Sequence, residues 1–178
     1  GLPTTTRAHN PVGPYKRRMS RLALDITAPH GWGRACRTAL AAAQAHTPPP
    51  TLSRGHRVSV SVVDNATMQQ LNHQYRGKNY ATNVLAFVAP AGLVVPPSHH
   101  QPLGEIILAE QVVRAEAKQY GKPLLQHLSH LVVHGYLHLL GYDHETNDHD
   151  ARVMMAREIA ILATLDIPSP YSDDVRHA

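Results

Sequence analysis

The run His134-Gly135-Tyr136-Leu137-His138-Leu139-Leu140-Gly141-Tyr142-Asp143-His144 constrains this chain more than any other stretch. His134 and His138 stand four apart, so on a helix their imidazoles project from one face about one turn from each other, a placement no strand reproduces. Gly141 can take the left-handed conformation that ends a helix and swings the chain back, which delivers His144 as a third ligand. Three neutral imidazoles suit Zn2+, at Zn–N distances of roughly 2.0–2.1 Å, and leave the fourth tetrahedral position for water. Open zinc sites are catalytic more often than structural, so the pattern predicts a metal-dependent hydrolase. With 14 histidines in 178 residues some clustering arises by chance. The periodic pair, the placed glycine and the third histidine are nevertheless separate requirements, and all are met.

The surrounding residues narrow the chemistry. The zinc peptidase pattern H-E-x-x-H-x-x-G-x-x-H needs a glutamate after its first histidine as general base, and here that position is Gly135. A bound metal lowers the pKa of its water to about 7, so hydroxide can form without that glutamate. His127 and Glu145 are the remaining candidate bases. His127 and His130 fall on or near the stripe of His134, where they could support a ligand or shuttle a proton, although simple packing also accounts for them.

At this point the chain resembles the YbeY family, endoribonucleases that mature ribosomal RNA. The likeness rests on His134 to His144, on Leu71-Asn72-His73-Gln74-Tyr75-Arg76-Gly77-Lys78-Asn79-Tyr80-Ala81-Thr82-Asn83-Val84-Leu85-Ala86-Phe87, on Leu103-Gly104-Glu105-Ile106, and on the closing helix around Met154 and Glu158. It extends from Met19 to about Tyr171. The chain departs from the family where Asn79 and Asn83 replace aspartates, Ala81 a proline, Ala86 a serine, and Met155 a common acid. Losing those aspartates removes a possible charge partner for Arg76 and Lys78. The resemblance implies that His134, His138 and His144 hold the metal and that Arg76 is catalytic.

Arg76 also has a case from chemistry. In Tyr75-Arg76-Gly77-Lys78-Asn79 a planar guanidinium sits in a turn beside a lysine, and its fork matches a phosphate bidentately. By itself such a turn reads as a solvated loop. Beside a zinc site it reads as a phosphate clamp, with Arg76 and Lys78 binding substrate and Arg76 stabilising charge on a transferring phosphoryl group.

Overall charge is less informative than its distribution. The formal charge is +4, but residues 1–18 hold four basic residues and no acid, so residues 19–178 balance at 13 against 13. From residue 19 to 142 there are 10 basic and 5 acidic residues, and from residue 143 onward 3 and 8, so an anionic ligand is drawn to surfaces built from the earlier part. Residues 1–18 are expected to be a leader or tag, with residues 19–178 a single domain. The leading segment lacks the apolar core of a signal peptide, and nowhere do 18 apolar residues run together, so no membrane association and a cytoplasmic location are expected. Cys36 is the single cysteine, which excludes an internal disulfide and fits a reducing compartment.

Periodicity predicts an α+β fold in the order βαβαββααα, a small mixed four-stranded sheet with helices. Strands are expected at residues 22–26, 58–62, 82–88 and 103–109. Helices are expected at 33–45, from a cap at Asp64 or Asn65 to Tyr75, at 111–120, from a first-turn Pro123 to Leu140, and from a cap at Asn147 to Pro168. On the last helix Val153, Met154, Ile159, Ile161 and Leu162 should pack inward. Residues 89–101, with three prolines and His99-His100, read as a loop. The cleft should lie between the metal helix and the Arg76 turn.

The residues point to a zinc-dependent hydrolase acting on a phosphate, and the resemblance to the YbeY family implies a single-strand-specific endoribonuclease of ribosomal RNA maturation and ribosome quality control, with precursor RNA and the ribosome or its proteins as partners. Direct attack by water and attack by the ribose 2′-hydroxyl are both compatible with the sequence. A zinc metallopeptidase-like hydrolase, and a noncatalytic ribosome-associated module braced by zinc, are the alternatives.

Overall fold

Alternating valines set the scaffold. In strand β2 (His56–Val63) Val58 and Val60 are buried, while Arg57, Ser59 and Ser61 between them stay partly exposed, the period of two expected of a strand. The computed structural model describes residues 22–50, 55–96 and 98–171, so the expected leader at 1–18 lies outside the described residues. Strands β1 (Ala23–Thr27), β2, β3 (Val84–Val88) and β4 (Gln101–Ala109) form one sheet in the order β1-β2-β4-β3. β1, β2 and β4 run parallel, and β3 is antiparallel to β4. Helices α1 (Trp32–His46), α2 (Asn65–Arg76), α3 (Glu110–Gln119), α4 (Leu124–Leu139) and α5 (Asp148–Ala163) complete the order βαβαββααα read from periodicity.

The two faces of β4 divide the core. Ile106 and Leu108 face a large cluster with Leu40 of α1, Leu128 and Val132 of α4, and Met154 and Leu162 of α5. Ile107 and Ala109 face the opposite way, onto Met68 of α2 and Leu85 of β3. Each fully buried leucine of this kind contributes about 1.5–3 kcal/mol. Cys36 is buried among these apolar groups, and burial pushes its thiol up to about 11, so it stays protonated and acts as filler.

Helix ends follow their capping chemistry. Asp64, rather than Asn65, caps α2 by accepting from the Thr67 amide at 2.8 Å, and Gly77, at φ 68°, ends that helix. Asn147 caps α5 by accepting from the Asp150 amide at 2.8 Å. Pro123 is the residue before the first turn of α4 rather than within it, a shift of one position. Val153 differs from expectation. It is exposed, because it precedes Met154 by one residue and so falls off the inward stripe of Met154, Ile161 and Leu162, while Ile159 is half-buried.

A bulge fixes how α4 ends against the sheet. Arg57 pairs with Pro102 but Val58 with Gly104, which leaves Leu103 as an extra residue on β4. Gly104 has φ 148°, and a Cβ there would lie 2.1 Å from the Phe87 carbonyl oxygen and 2.7 Å from Leu139 Cδ2 at the end of α4. Gly104→Ala is therefore expected to lose roughly 2–4 kcal/mol of stability in denaturant titration. Gly33→Ala, whose Cβ would meet nothing nearer than Ile26 Cγ2 at 3.9 Å, should stay within about 1 kcal/mol of the unaltered chain. Similar losses in both would remove the steric argument.

Candidate metal centre

The inner face of α4 carries Leu128, Val132, Tyr136 and Leu139 into the core, which leaves half-buried His134 and His138 on the other side. After Leu140 the chain closes in the arrangement expected of a left-handed glycine: Tyr142 donates to the Leu137 carbonyl at 3.1 Å, Gly141 donates to the His138 carbonyl at 3.0 Å, and Gly141 has φ 97°. The returning loop is held by the Asp143 carboxylate, which accepts from the Glu145 amide at 2.8 Å and the Thr146 hydroxyl at 2.9 Å. The side chain this loop carries back is His144.

The three imidazoles meet. Ring centroids are 4.8 Å apart for His134 and His138, 4.9 Å for His134 and His144, and 5.1 Å for His138 and His144. One nitrogen from each lies within 4.8 Å of the others. His138 Nε2 and His144 Nδ1 are 3.2 Å apart. Two nitrogens on a tetrahedral zinc at about 2.0–2.1 Å would stand roughly 3.3–3.4 Å apart. The donor set and this separation fit a divalent ion of that kind. Burial, reinforced by the neighbouring His134 and His144, lowers the pKa of His138 and favours the neutral ring that ligation requires.

A buried carboxylate stands behind this trio. Glu158 of α5 is fully buried and accepts from His134 Nδ1, which leaves His134 Nε2 for a ligand. Tyr171 donates its hydroxyl to Glu158 at 2.6 Å, and His130 Nε2 is 3.6 Å from the same carboxylate. Burial pushes the Glu158 carboxyl up, but the hydrogen bond from His134, with the His130 ring close by, outweighs it and holds the pKa at about 2. An ionised acid fixes the tautomer and orientation of its histidine and makes it a better ligand. His127 is held differently. Its Nε2 donates to Glu116 at 3.0 Å, and Glu116 also accepts from Asn83 at 3.1 Å. Both His127 and His130 therefore join polar networks rather than simple packing, and neither lines the cleft in front of the trio.

That cleft measures 440 Å³ and is lined by Arg76 and Lys78 together with His134, His138 and His144. The turn carrying the cations is fixed by α2, with Gln69 donating to Asn79 at 3.0 Å and Asn72 donating to the Tyr80 carbonyl at 2.8 Å. Asn79 and Asn83 thus brace backbone and neighbouring side chains. The carboxylate facing Arg76 is Glu145, with Arg76 Nη2 and Glu145 Oε1 3.4 Å apart. Glu145 lies in the cleft, as a candidate base must, but it is engaged by this cation. The room for a peptidase glutamate is missing too, because a Cβ on Gly135 would already stand 2.9 Å from Ile106 Cγ2 of β4.

Sequence reasoning named Glu158 only within the stretch of resemblance and gave it no role, and it assigned none to Glu116 or Tyr171. One signal existed in the sequence: Met154, Glu158, Ile161 and Leu162 share a helical stripe, and an acid inside an apolar stripe needs a buried partner. Its partner, His134, is supplied by a different helix.

Residues 26–166 match the family model described as Endoribonuclease YbeY. The Endoribonuclease YbeY of Magnetococcus marinus is 50% identical over 120 residues, covering 64% of this chain and 82% of that protein. That of Rhodopseudomonas palustris is 48% identical over 122 residues, covering 68% of this chain and 64% of that protein. That of Alkalilimnicola ehrlichii is 46% identical over 140 residues, with 77% and 78% covered. The solution structure of TM1509 from Thermotoga maritima shares the fold at a TM-score of 0.52 and 23% identity, covering 80% of this chain and 87% of that one. With a family model spanning β2 to β4, the Arg76 turn and all three histidines, the chain belongs to the YbeY family.

Proposed function

We propose that this chain is a Zn2+-dependent endoribonuclease that cuts single-stranded RNA in ribosomal RNA maturation and ribosome quality control. His134, His138 and His144 hold the ion, Arg76 and Lys78 bind substrate, and residues 19–178 work as one domain in the cytoplasm beside the ribosome. The supporting observation is that two cations and the imidazole trio line one cleft. The relatives' shared name, Endoribonuclease YbeY, points to the same chemistry. No described helix is long and apolar enough to cross a membrane.

An ion held there supplies Lewis acidity toward a phosphoryl oxygen and hydroxide near neutral pH. The protein's own groups do the rest. Arg76 grips the scissile or a neighbouring phosphate through its fork and opposes charge that grows during transfer. Lys78 adds positive field at the cleft mouth. Glu158 keeps a proton on His134 Nδ1, so that the other nitrogen remains a donor of its lone pair. The product end separates the two routes of attack: a 2′,3′-cyclic phosphate marks the ribose hydroxyl as nucleophile, and its absence throughout the time course marks water.

Zinc content and RNA cleavage measured together test this reading. His138→Ala should lose both, whereas Arg76→Ala should keep zinc and cut about 10²–10³-fold more slowly. Chelation should abolish cutting while circular dichroism stays largely unchanged, since the core is apolar and does not include the trio. Unaltered cutting in both variants, or melting of the fold on chelation, would defeat the proposal. Glu145→Gln should free Arg76 and tighten RNA binding with the turnover rate little changed; a hundredfold fall in turnover at unchanged affinity would instead make Glu145 the base. Glu158→Gln is expected to weaken metal binding about 10–100-fold in a competition titration, and equal affinity in a folded variant would remove its orienting role.

A further inference from the structure

The cleft is bordered by Thr82, Asn83, Val84, Leu85 and Ala86 in unbroken succession. One face of a strand would contribute every second residue, so β3 meets the cleft edge-on and offers it backbone as well as side chains. β3 is also the last strand of the sheet, with β4 on one side and no strand on the other among the described residues.

Which backbone groups point outward follows from two bonds. Ala109 donates to the Asn83 carbonyl at 2.9 Å, and Ala89 donates to the Leu103 carbonyl at 3.0 Å. Antiparallel pairing alternates bonded and non-bonded pairs, so Leu85 and Phe87 also bond to β4, while Val84, Ala86 and Val88 turn their N–H and C=O groups away from it. The Val84 amide is already satisfied, because it donates to the Asn83 side-chain oxygen at 2.7 Å. Val88 is not among the residues bordering the cleft. Ala86 is thus left with one donor and one acceptor side by side, with no partner among the described residues, in the cleft that also holds His134 and Arg76.

We infer that this open edge of β3 at Ala86 is a base-reading subsite, which hydrogen-bonds the Watson–Crick edge of one unpaired nucleotide next to the cut. The inference rests on the endoribonuclease reading above. Each RNA base carries an adjacent donor and acceptor on that edge, which an amide N–H and C=O of one extended residue can match, and pairing in a duplex hides it. An extended peptide would need a run of alternating groups along the strand, and the capped Val84 amide interrupts such a run. The cations of the cleft favour a polyanion as well. Single-strand specificity is then a property of the edge rather than of the metal.

The test uses the full chain with zinc and single-stranded RNA oligonucleotides that carry, one position at a time, a base methylated on its Watson–Crick edge. Methylation at one nucleotide beside the cut should reduce binding in fluorescence anisotropy, and cleavage, by about 5–100-fold, with other positions little affected. Ala86→Pro deletes the single N–H at a place where an edge strand accepts proline, and should lose this discrimination while retaining zinc. Ala86→Ser keeps the amide and should keep the discrimination. Sensitivity at no position, an unchanged pattern in a folded Ala86→Pro, or an extended peptide that competes with RNA for the unaltered chain but not for Ala86→Pro would each overturn the inference. Should the proline variant fail to fold, the methylation scan on the unaltered chain decides alone. A chain that neither binds nor cuts any RNA overturns the functional reading itself, and is distinguished from the other failures by the unmethylated control.

Discussion

The seat of α4 on β4 is the constraint from which the candidate site follows. Gly135 lets the helix come within reach of Ile106, and Gly104 lets Leu139 settle over the bulged end of β4. A glycine inside a helix costs about 1 kcal/mol relative to alanine. Here it is offset by the contact that a side chain would forbid. Were α4 further from the sheet, His134 and His138 would no longer border the same cleft as β3. The residue that distinguishes this chain from a zinc peptidase is therefore also the one that brings its helix against the sheet.

Charge is layered around that seat. Behind His134 lies the ionised Glu158, buried and shared with His130 and Tyr171. In front lie Arg76 and Lys78, on a turn that α2 holds through Gln69 and Asn72. An imidazole placed between an anion in the protein and cations facing solvent is polarised toward the cleft, a direction suited to a cationic ligand followed by a phosphate. Because Glu158 has its pKa depressed from 4.5 to about 2, its contribution to stability is fully present above the unfolded value and disappears as pH falls through the folded one. Glu116 repeats the device on a smaller scale, where burial raises its pKa but bonds from His127 and Asn83 outweigh that effect.

The departures from the family pattern are absorbed locally. Asn83 accepts from the Val84 amide and donates to Glu116, so a single amide side chain does two jobs a carboxylate could not share, since one of them requires a donor. Asn79 accepts from Gln69. Arg76 finds its anion across the cleft in Glu145, on the loop that also carries His144. This links the Arg76 turn to the loop of His144 through an exposed pair, which salt and solvent keep weak.

Local patterns determined the element order, the cap at Asn147, the cap of α2 to within two adjacent residues, and the closure at Gly141. Each depends on residues within a few positions of one another, whose periodicity and capping are fixed by the backbone alone. The imidazole trio was legible for the same reason, since its three members span one helical turn and one returning loop. Tertiary structure decided what comes from afar: that Glu158 meets His134 across two helices, that Glu145 rather than an aspartate faces Arg76, and that Val153 turns outward. It also decided that β3 lies at the rim of the sheet with Ala86 facing the cleft. Long-range contacts of that kind depend on which faces pack together, and the periodicity that reveals a face does not name its partner.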